Sequence, residues 1–260
     1  MNYDYAIVGA NGFLGKSLIQ YLLSCGKTCY PVLRSTNLES LKNIRFSNVI
    51  FAAGNSKTYI SNKDPLVCLK ENVIDLFNIL QSLNYNKFIY LSSSVVYSDS
   101  LKRKSEDAFI DCSLLSTYGM HKYLAEQYVK RYSKGDWLIL RPTGFYGEGL
   151  KKNLLFDLKG NQNKIYYNLD SMIDYMPVEW FCEQAVLLGK NCSNRIINIG
   201  AGVCVQVKEI IHLKPKISYE MLDTRWIDDS NIDFTFIRDF GIQPFKKEIM
   251  LEKIKAFINS

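Results

Sequence analysis

The chain of 260 residues is 47% hydrophobic and 22% charged, with a formal net charge of +6, an ordinary globular balance. Its length favours one main domain with a small appendage and buries a hydrophobic core without disulfide or metal staples. There is no run of eighteen apolar residues to span a membrane, and the charge is spread along the chain apart from Lys102-Arg103-Lys104, with no aromatic-interleaved basic stripe for nucleic acid.

The first apolar segment, Tyr5-Ala6-Ile7-Val8, runs straight into a glycine loop and reads as a folded strand (about Asp4 to Val8), not as a cleavable leader. A helix follows from Phe13 to about Cys25, then a strand over Thr28 to Leu33, a short helix over Leu38 to Lys42 and a third strand over Asn48 to Ala53. A long helix is expected from Asp64-Pro65, where Asp caps and Pro takes the first turn, through Leu76 and Leu80. Lys87 to Leu91 is the fourth strand and ends in Ser92-Ser93-Ser94; Thr117 to Tyr132 is a helix; Trp137 to Leu140 is a strand ending at Arg141-Pro142. Beyond Gly149 the pattern is less regular: Leu150 to Asn168 is polar and mixed, Val178 to Lys190 is helical, Arg195 to Ile199 is a strand, and Lys247 to Ile258 is a terminal helix.

Strands alternating with helices give an α/β chain with a Rossmann-type, doubly wound parallel sheet and a small C-terminal substrate-binding cap. The expected division is residues 1–145 plus part of 170–205 for the dinucleotide-binding domain, and about 146–170 and 203–260 for the substrate-binding portion. Cys25, Cys29, Cys68, Cys112, Cys182, Cys192 and Cys204 are scattered singly and odd in number, which reads as reduced thiols in a cytoplasmic protein. The two histidines, His121 and His212, show no ligand spacing with them, so no metal site is expected.

Gly9-Ala10-Asn11-Gly12-Phe13-Leu14-Gly15 sits between a strand and a helix. The first Gly permits the tight turn, the middle one lets backbone approach a pyrophosphate, and the last allows close helix–sheet packing. The helix N-terminus adds free N–H groups and partial positive charge. An acid at the end of the second strand would bind the ribose 2′-hydroxyl of NAD; here the strand ends Val32-Leu33-Arg34-Ser35, and Arg34 suits a 2′-phosphate. NADP(H) is therefore favoured over NAD(H).

Tyr118 and Lys122 are four residues apart in a helical segment and share one face. A free Tyr has a pKa near 10; a neighbouring ammonium is expected to lower it. Tyr118 is then the acid/base that exchanges a proton with a hydroxyl or carbonyl as hydride moves to or from nicotinamide, while Lys122 also holds the ribose. The serine run lies at a strand's C-terminal end, where open α/β sheets bind ligands; Ser93 is the candidate that orients the reacting oxygen, with Ser94 next to it. The expected cofactor contacts are Gly9, Asn11, Gly12, Phe13, Leu14, Gly15, Arg34, Ala52, Ala53, Lys122 and Pro142.

These segments resemble the NAD(P)-dependent epimerase/dehydratase family, the extended short-chain dehydrogenase/reductases that act on nucleotide sugars. Phe88 to Tyr97 is similar to its strand and serine motif, Tyr118 to Glu126 to its active-site helix, Glu71-Asn72-Val73 to its helix asparagine motif, Arg141 to Gly149 to its Arg-Pro…Tyr-Gly loop, and Phe240 to Phe245 to its closing motif. The resemblance implies that Ser93, Tyr118 and Lys122 are catalytic, that a nucleotide-linked sugar is the substrate, and that Ser94, Tyr146 and Arg225 contact it. It also implies a homodimer, formed through two helices per subunit. Residues 35–48 are too few for the extra βα unit that relatives usually carry, and the relatives' Arg-Asp-Phe appears as Ile173-Asp174-Tyr175. A dehydratase of this family would place an acidic pair beside the active hydroxyl, and its epimerase–reductases a Cys next to the serines; Ser94-Val95 provides neither. The expected reaction is NADP(H)-dependent reduction of a keto nucleotide-sugar, the alternative an NAD-dependent epimerisation. A non-catalytic NADP-sensing regulator would be expected to lose the Tyr/Lys pair that this chain keeps.

Overall fold

The computed structural model describes residues 1–54, 61, 63–98, 102–215 and 219–260, with the backbone alone for 221–225. In chain order the elements are β1 (Asn2–Val8), α1 (Phe13–Ser24), β2 (Cys29–Val32), β3 (Arg45–Phe51), α2 (Pro65–Leu69), α3 (Asp75–Ser82), β4 (Asn84–Leu91), α4 (Thr117–Tyr132) and β5 (Asp136–Pro142). There follow β6 (Gly144–Tyr146), α5 (Leu154–Lys159), β7 (Lys164–Tyr167), β8 (Met172–Pro177), α6 (Val178–Asn191), β9 (Arg195–Ile199), β10 (Cys204–Gln206), α7 (Val207–His212), β11 (Glu220–Arg225), α8 (Thr235–Asp239) and α9 (Lys247–Ile258). The chain divides into two compact units: Met1–Ser98, Phe109–Pro142 and Cys182–Ile197 form the first, and Asp99–Ala108, Thr143–Phe181 and Asn198–Ser260 the second.

The first unit carries the main sheet, in the order β2-β1-β3-β4-β5-β9, with parallel pairing from β2 through β5. The chain moves outward from β1 to β2 and then back past β1 to β3. The order therefore reverses between β1 and β3, and in such sheets the crevice beyond the carboxyl ends at that point takes the ligand. A doubly wound sheet of the 3-2-1-4-5-6 kind gives the first five places of this order when its outermost strand is removed, and β9 extends the sheet at the other edge. Between β2 and β3, residues 33–44 hold only a 3₁₀ turn, Leu38–Leu41, and have no length for a further strand and helix. Strands covered on both faces read as near-continuous apolar runs. Phe88, Ile89, Tyr90 and Leu91 of β4 are accordingly all buried. Phe46, Val49 and Phe51 of β3, Leu76 and Leu80 of α3, and Ala125 and Val129 of α4 close one core.

The predicted long helix starts as expected, with Asp64 accepting from the Val67 N–H at 3.1 Å and Pro65 in the first turn. It is not continuous α-helix: Lys70–Ile74 between α2 and α3 is a π turn. The cause lies in Asn72, whose buried side chain donates to the Cys68 carbonyl at 3.1 Å and competes with the backbone ladder.

The second unit contains the sheet β10-β8-β6 and the pair β11-β7. The segment Leu150 to Asn168, read from sequence as irregular, holds α5 and β7. Helix α9 matches its predicted bounds because Met250, Ile254 and Ile258 repeat every four residues and are all buried. Arg103 and Lys104, from the basic run singled out in the sequence, are tied down: Arg103 pairs with Asp233, and Lys104 Nζ donates to the Asp228 carbonyl.

Strand β8 escaped prediction because a buried carboxylate interrupts its apolar run. Asp174 accepts from Thr143 Oγ1 (2.7 Å) and from the N–H groups of Ala201 (2.8 Å) and Val203 (3.1 Å), and its own N–H donates to Asp229 (3.1 Å). Burial pushes Asp174 up to about 6 and Asp229 up to about 7; hydrogen bonds from Thr143 and backbone pull Asp174 back, and the neighbouring Asp174 charge adds to the rise of Asp229. A carboxyl with a raised folded-state pKa stabilises the fold below its unfolded value near 3.9, and that contribution is lost as pH rises through the folded value. Melting temperature is therefore expected to fall between about pH 4 and pH 7 through this pair, by a loss on the order of a few kcal/mol, since one pKa unit is worth about 1.4 kcal/mol. Asp229→Asn keeps the acceptor for Asp174 N–H and should flatten that slope in thermal melts; an unchanged slope would remove the pair as its source.

Candidate functional site

Gly9 ends β1 at φ +84°, and a Cβ there would lie 2.9 Å from the Ala53 backbone, so only glycine lets the turn pass beneath the end of β3. The loop delivers the chain to α1, whose N-cap, Gly12, provides no side-chain cap and whose first turn carries no acid. The first N–H groups of a twelve-residue helix thus face outward with the positive end of the dipole, an arrangement that fits a diphosphate. Asn11 and Gly12 are exposed, Phe13 and Leu14 half-buried and Gly15 buried, so the loop offers backbone at its crest. Ala52 and Ala53 lie half-buried beside it, and Pro142 is buried at the end of β5.

Tyr118 and Lys122 lie on the buried face of α4, whose first turn is capped by Ser116 Oγ accepting from the Gly119 N–H at 3.1 Å. Lys122 Nζ donates to the Leu91 carbonyl at 2.9 Å, at the C-terminal end of β4. It also sits 4.8 Å from the Tyr90 ring centroid and 6.0 Å from that of Tyr118. The expected lowering of the Tyr118 pKa is not what the structure gives. Burial pushes the phenol up, with a smaller contribution from the Cys68 side chain. The ammonium is drawn under Tyr90 and onto a carbonyl, and withdrawal from water governs the phenol.

The three serines divide their work. Ser92 Oγ is buried and donates to Glu126 at 2.6 Å. Ser93 is half-buried in extended backbone, and its Oγ accepts a long bond of 3.4 Å from the Val95 N–H. Ser94 begins the short 3₁₀ turn Ser94–Val96 and is half-buried. Ser93 and Ser94 therefore retain hydroxyls near the surface at the strand end, whereas Ser92 is committed to structure.

That commitment belongs to a buried network. Arg141 Nε donates to Glu126 Oε1 (2.9 Å), Arg141 Nη2 to Glu126 Oε2 (2.7 Å), and Arg141 Nη1 to the Tyr97 hydroxyl (2.8 Å). Burial opposes the charge of Arg141, but the bonds to Glu126 hold it above its usual range. Tyr118, Lys122 and Glu126 follow at four-residue steps on one face of α4, so the network fixes the helix that carries the first two. The spacing was legible in the sequence as a third member of the Tyr/Lys series; the partners of Glu126 on other elements were not.

Two expectations, Tyr146 and Arg34, meet a different environment. The Tyr146 hydroxyl, expected to touch substrate, is buried in the second unit against Met250 Sδ (3.6 Å) with its ring packed on Phe257. The apolar face of α9 draws it inward. Arg34, expected at a 2′-phosphate, pairs with Glu71 Oε1 at 2.8 Å, an acid from the π turn that no local pattern points to. Arg225 ends β11 opposite Tyr167, and its side chain lies outside the described residues.

No described helix is long and apolar enough to cross a membrane, and the described residues contain no group of three His, Cys, Asp or Glu placed to hold a metal. His121, between Tyr118 and Lys122, is buried with its pKa lowered by desolvation.

A strand order that reverses between β1 and β3, an uncapped helix N-terminus behind a glycine turn, and a Tyr/Lys pair beside the end of β4 define a doubly wound α/β protein of the Rossmann kind. The chain belongs to the NAD dependent epimerase/dehydratase family, whose model matches residues 5–200. A curated relative, the "Putative UDP-glucose 4-epimerase" of Methanocaldococcus jannaschii, is 25% identical over 179 residues, 64% of this chain; the match spans 59% of that protein's length. Among solved structures, MoeE5 in complex with UDP-glucuronic acid and NAD matches with a TM-score of 0.84 at 22% identity, over 98% of this chain and 97% of that one. RMD from Pseudomonas aeruginosa complexed with NADPH matches with a TM-score of 0.77 at 20% identity, over 98% and 99%. At these identities the likeness speaks to the fold.

Proposed function

We propose that the chain reduces a keto sugar carried on a nucleotide, with NADP(H) as its cofactor. The observation that carries this reading is the buried Tyr118 phenol, its pKa pushed up, one helical turn from Lys122 and at the strand end that bears Ser93. A phenol of that kind holds its proton at neutral pH, and a carbonyl under reduction needs a proton on its oxygen. Tyr118 Oη gives that proton to the sugar oxygen. Ser93 Oγ hydrogen-bonds the same oxygen and orients it, and Ser94 borders the sugar. Lys122, steadied by the Leu91 carbonyl, holds the nicotinamide ribose. When bound, the dinucleotide supplies the reducing equivalents. Gly9, Asn11, Gly12, Phe13, Leu14 and Gly15 seat its diphosphate, Ala52, Ala53 and Pro142 border it, and Arg34 takes the 2′-phosphate. Arg225 is the candidate for the diphosphate of the sugar nucleotide. The substrate class draws support from family membership and from UDP-glucuronic acid in the MoeE5 complex.

An NAD-dependent epimerase is the second reading, favoured by the hold of Glu71 on Arg34 and by NAD in the MoeE5 complex. Purified protein mixed with NADPH and UDP-linked 4-keto sugars separates the two. The reductase consumes one NADPH per sugar reduced. Inversion at a sugar carbon with no net change in nicotinamide absorbance establishes the epimerase instead, and absence of both reactions refutes the enzyme reading for these substrates.

A further inference from the structure

We propose that Glu71 sets the choice between the two nicotinamide dinucleotides, by competing with a 2′-phosphate for Arg34; the inference rests on the dinucleotide reading above. The end of β2 lacks the acid that would accept a ribose 2′-hydroxyl, yet an acid from another element reaches that place: Glu71 Oε1 lies 2.8 Å from Arg34 Nη2.

The two partners are unequally held. The Arg34 side chain is 84% exposed and that of Glu71 only 18%. Glu71 is carried by the π turn, where the next residue, Asn72, is buried and bonded to Cys68. Asn72 in turn lies against the end of β3: Gly54 has φ +117°, and a Cβ on it would fall 2.3 Å from Asn72 Oδ1. The carboxylate is therefore the fixed group and the guanidinium the one that swings. The Glu71 carbonyl lies 3.9 Å from where a Gly54 Cβ would stand, one residue beyond the Ala53 backbone that meets Gly9, and an adenosine ribose would run past that end of the sheet.

A fixed carboxylate there accepts from ribose hydroxyls and repels a phosphate dianion. A guanidinium binds that phosphate in a bidentate manner, but only after leaving Glu71. NAD(H) thus binds with the pair intact or with Glu71 taking a hydroxyl, whereas NADP(H) must break the pair and bear the nearby charge. An exposed ion pair is worth up to about 1 kcal/mol, roughly fivefold in affinity. Relief of the direct repulsion adds to this, so neutralising Glu71 is expected to tighten a 2′-phosphate ligand by about five- to tenfold.

The test is calorimetric titration of the full chain with adenosine 2′,5′-bisphosphate and with 5′-AMP, beside fluorescence titration with NADPH and NADH. Glu71→Gln should lower the Kd for adenosine 2′,5′-bisphosphate and NADPH by that factor while leaving 5′-AMP and NADH equal or weaker. Measured against Arg34→Ala, the gain in Glu71→Gln/Arg34→Ala should be smaller, because only the direct repulsion is then relieved, and it should shrink in half-molar salt, which screens the exposed charges. Binding of these ligands with an unchanged ratio in Glu71→Gln, or a gain that is undiminished by loss of Arg34, overturns this inference alone. Failure of all four ligands to bind wild type overturns the dinucleotide reading, and this inference with it.

Discussion

Tyr118→Phe is expected to lower turnover of a keto nucleotide-sugar by about a hundredfold to ten-thousandfold, the range that a positioned proton donor contributes. The substitution removes one oxygen and keeps the ring, so the packing of α4 on β4 should persist. Melting temperature should change little, because the ring that packs α4 is kept. The Kd for NADPH should stay within about twofold, since the proposed diphosphate and ribose seats lie on other residues. The pH profile tests the proton assignment separately. A donor is active in its protonated form, and its activity falls as pH rises through its pKa. Burial pushes Tyr118 above the ordinary phenol value near 10, so the wild-type reduction rate should stay level through pH 9. A basic limb near pH 7 or 8 that disappears in Lys122→Met would show instead that the ammonium governs the phenol. Undiminished turnover in Tyr118→Phe would remove the residue from the mechanism.

The parts of this site that local spacing encodes were readable before any coordinates. Gly9 and the strand–loop–helix around it, Tyr118 with Lys122, and the serine run all depend on neighbours within one or two turns of chain, where geometry follows from sequence separation. The shortened connection between the second and third strands was readable for the same reason, because residues 35–48 are too few for a further strand and helix. What escaped depends on partners far along the chain. Arg34 was legible as a cation at the end of β2, but Glu71, which holds it, arrives from the π turn thirty-seven positions on. Tyr146 sat in a motif that suggested substrate contact, and only the arrival of Met250 and Phe257 from α9 shows it as core. Strand β8 hid because Asp174, a residue type rarely buried, has its cost met by donors from residues 143, 201 and 203.

The largest stability effect is expected at the ion pair behind the Tyr/Lys face. Glu126 and Arg141 are 0% and 2% exposed as side chains, and every polar atom of the contact is used: Ser92 and two guanidinium nitrogens meet the carboxylate, and Tyr97 takes the third nitrogen. Removing one member leaves the other charge stranded without water, which costs about 3–5 kcal/mol. For a chain of this size that corresponds to a fall in Tm of roughly 10 °C. Glu126→Leu and Arg141→Leu should each show it in thermal melts. Glu126→Gln should cost less, because the amide still accepts from one donor. The triple change Ser92→Ala/Glu126→Leu/Arg141→Met removes the charges and the hydroxyl together and should recover much of the loss, since apolar replacement of a whole buried pair is often close to neutral. If stability alone were at stake, that variant would also recover turnover. The network ties α4 to the ends of both β4 and β5, and Lys122 and Tyr118 lie one and two turns further along the same face. Turnover should therefore stay depressed in the stable triple variant, with kcat falling more than KM for cofactor changes. Single replacements that cost less than about 1 kcal/mol would mean that water reaches the pair, and the clamp on the helix would then have no energetic basis.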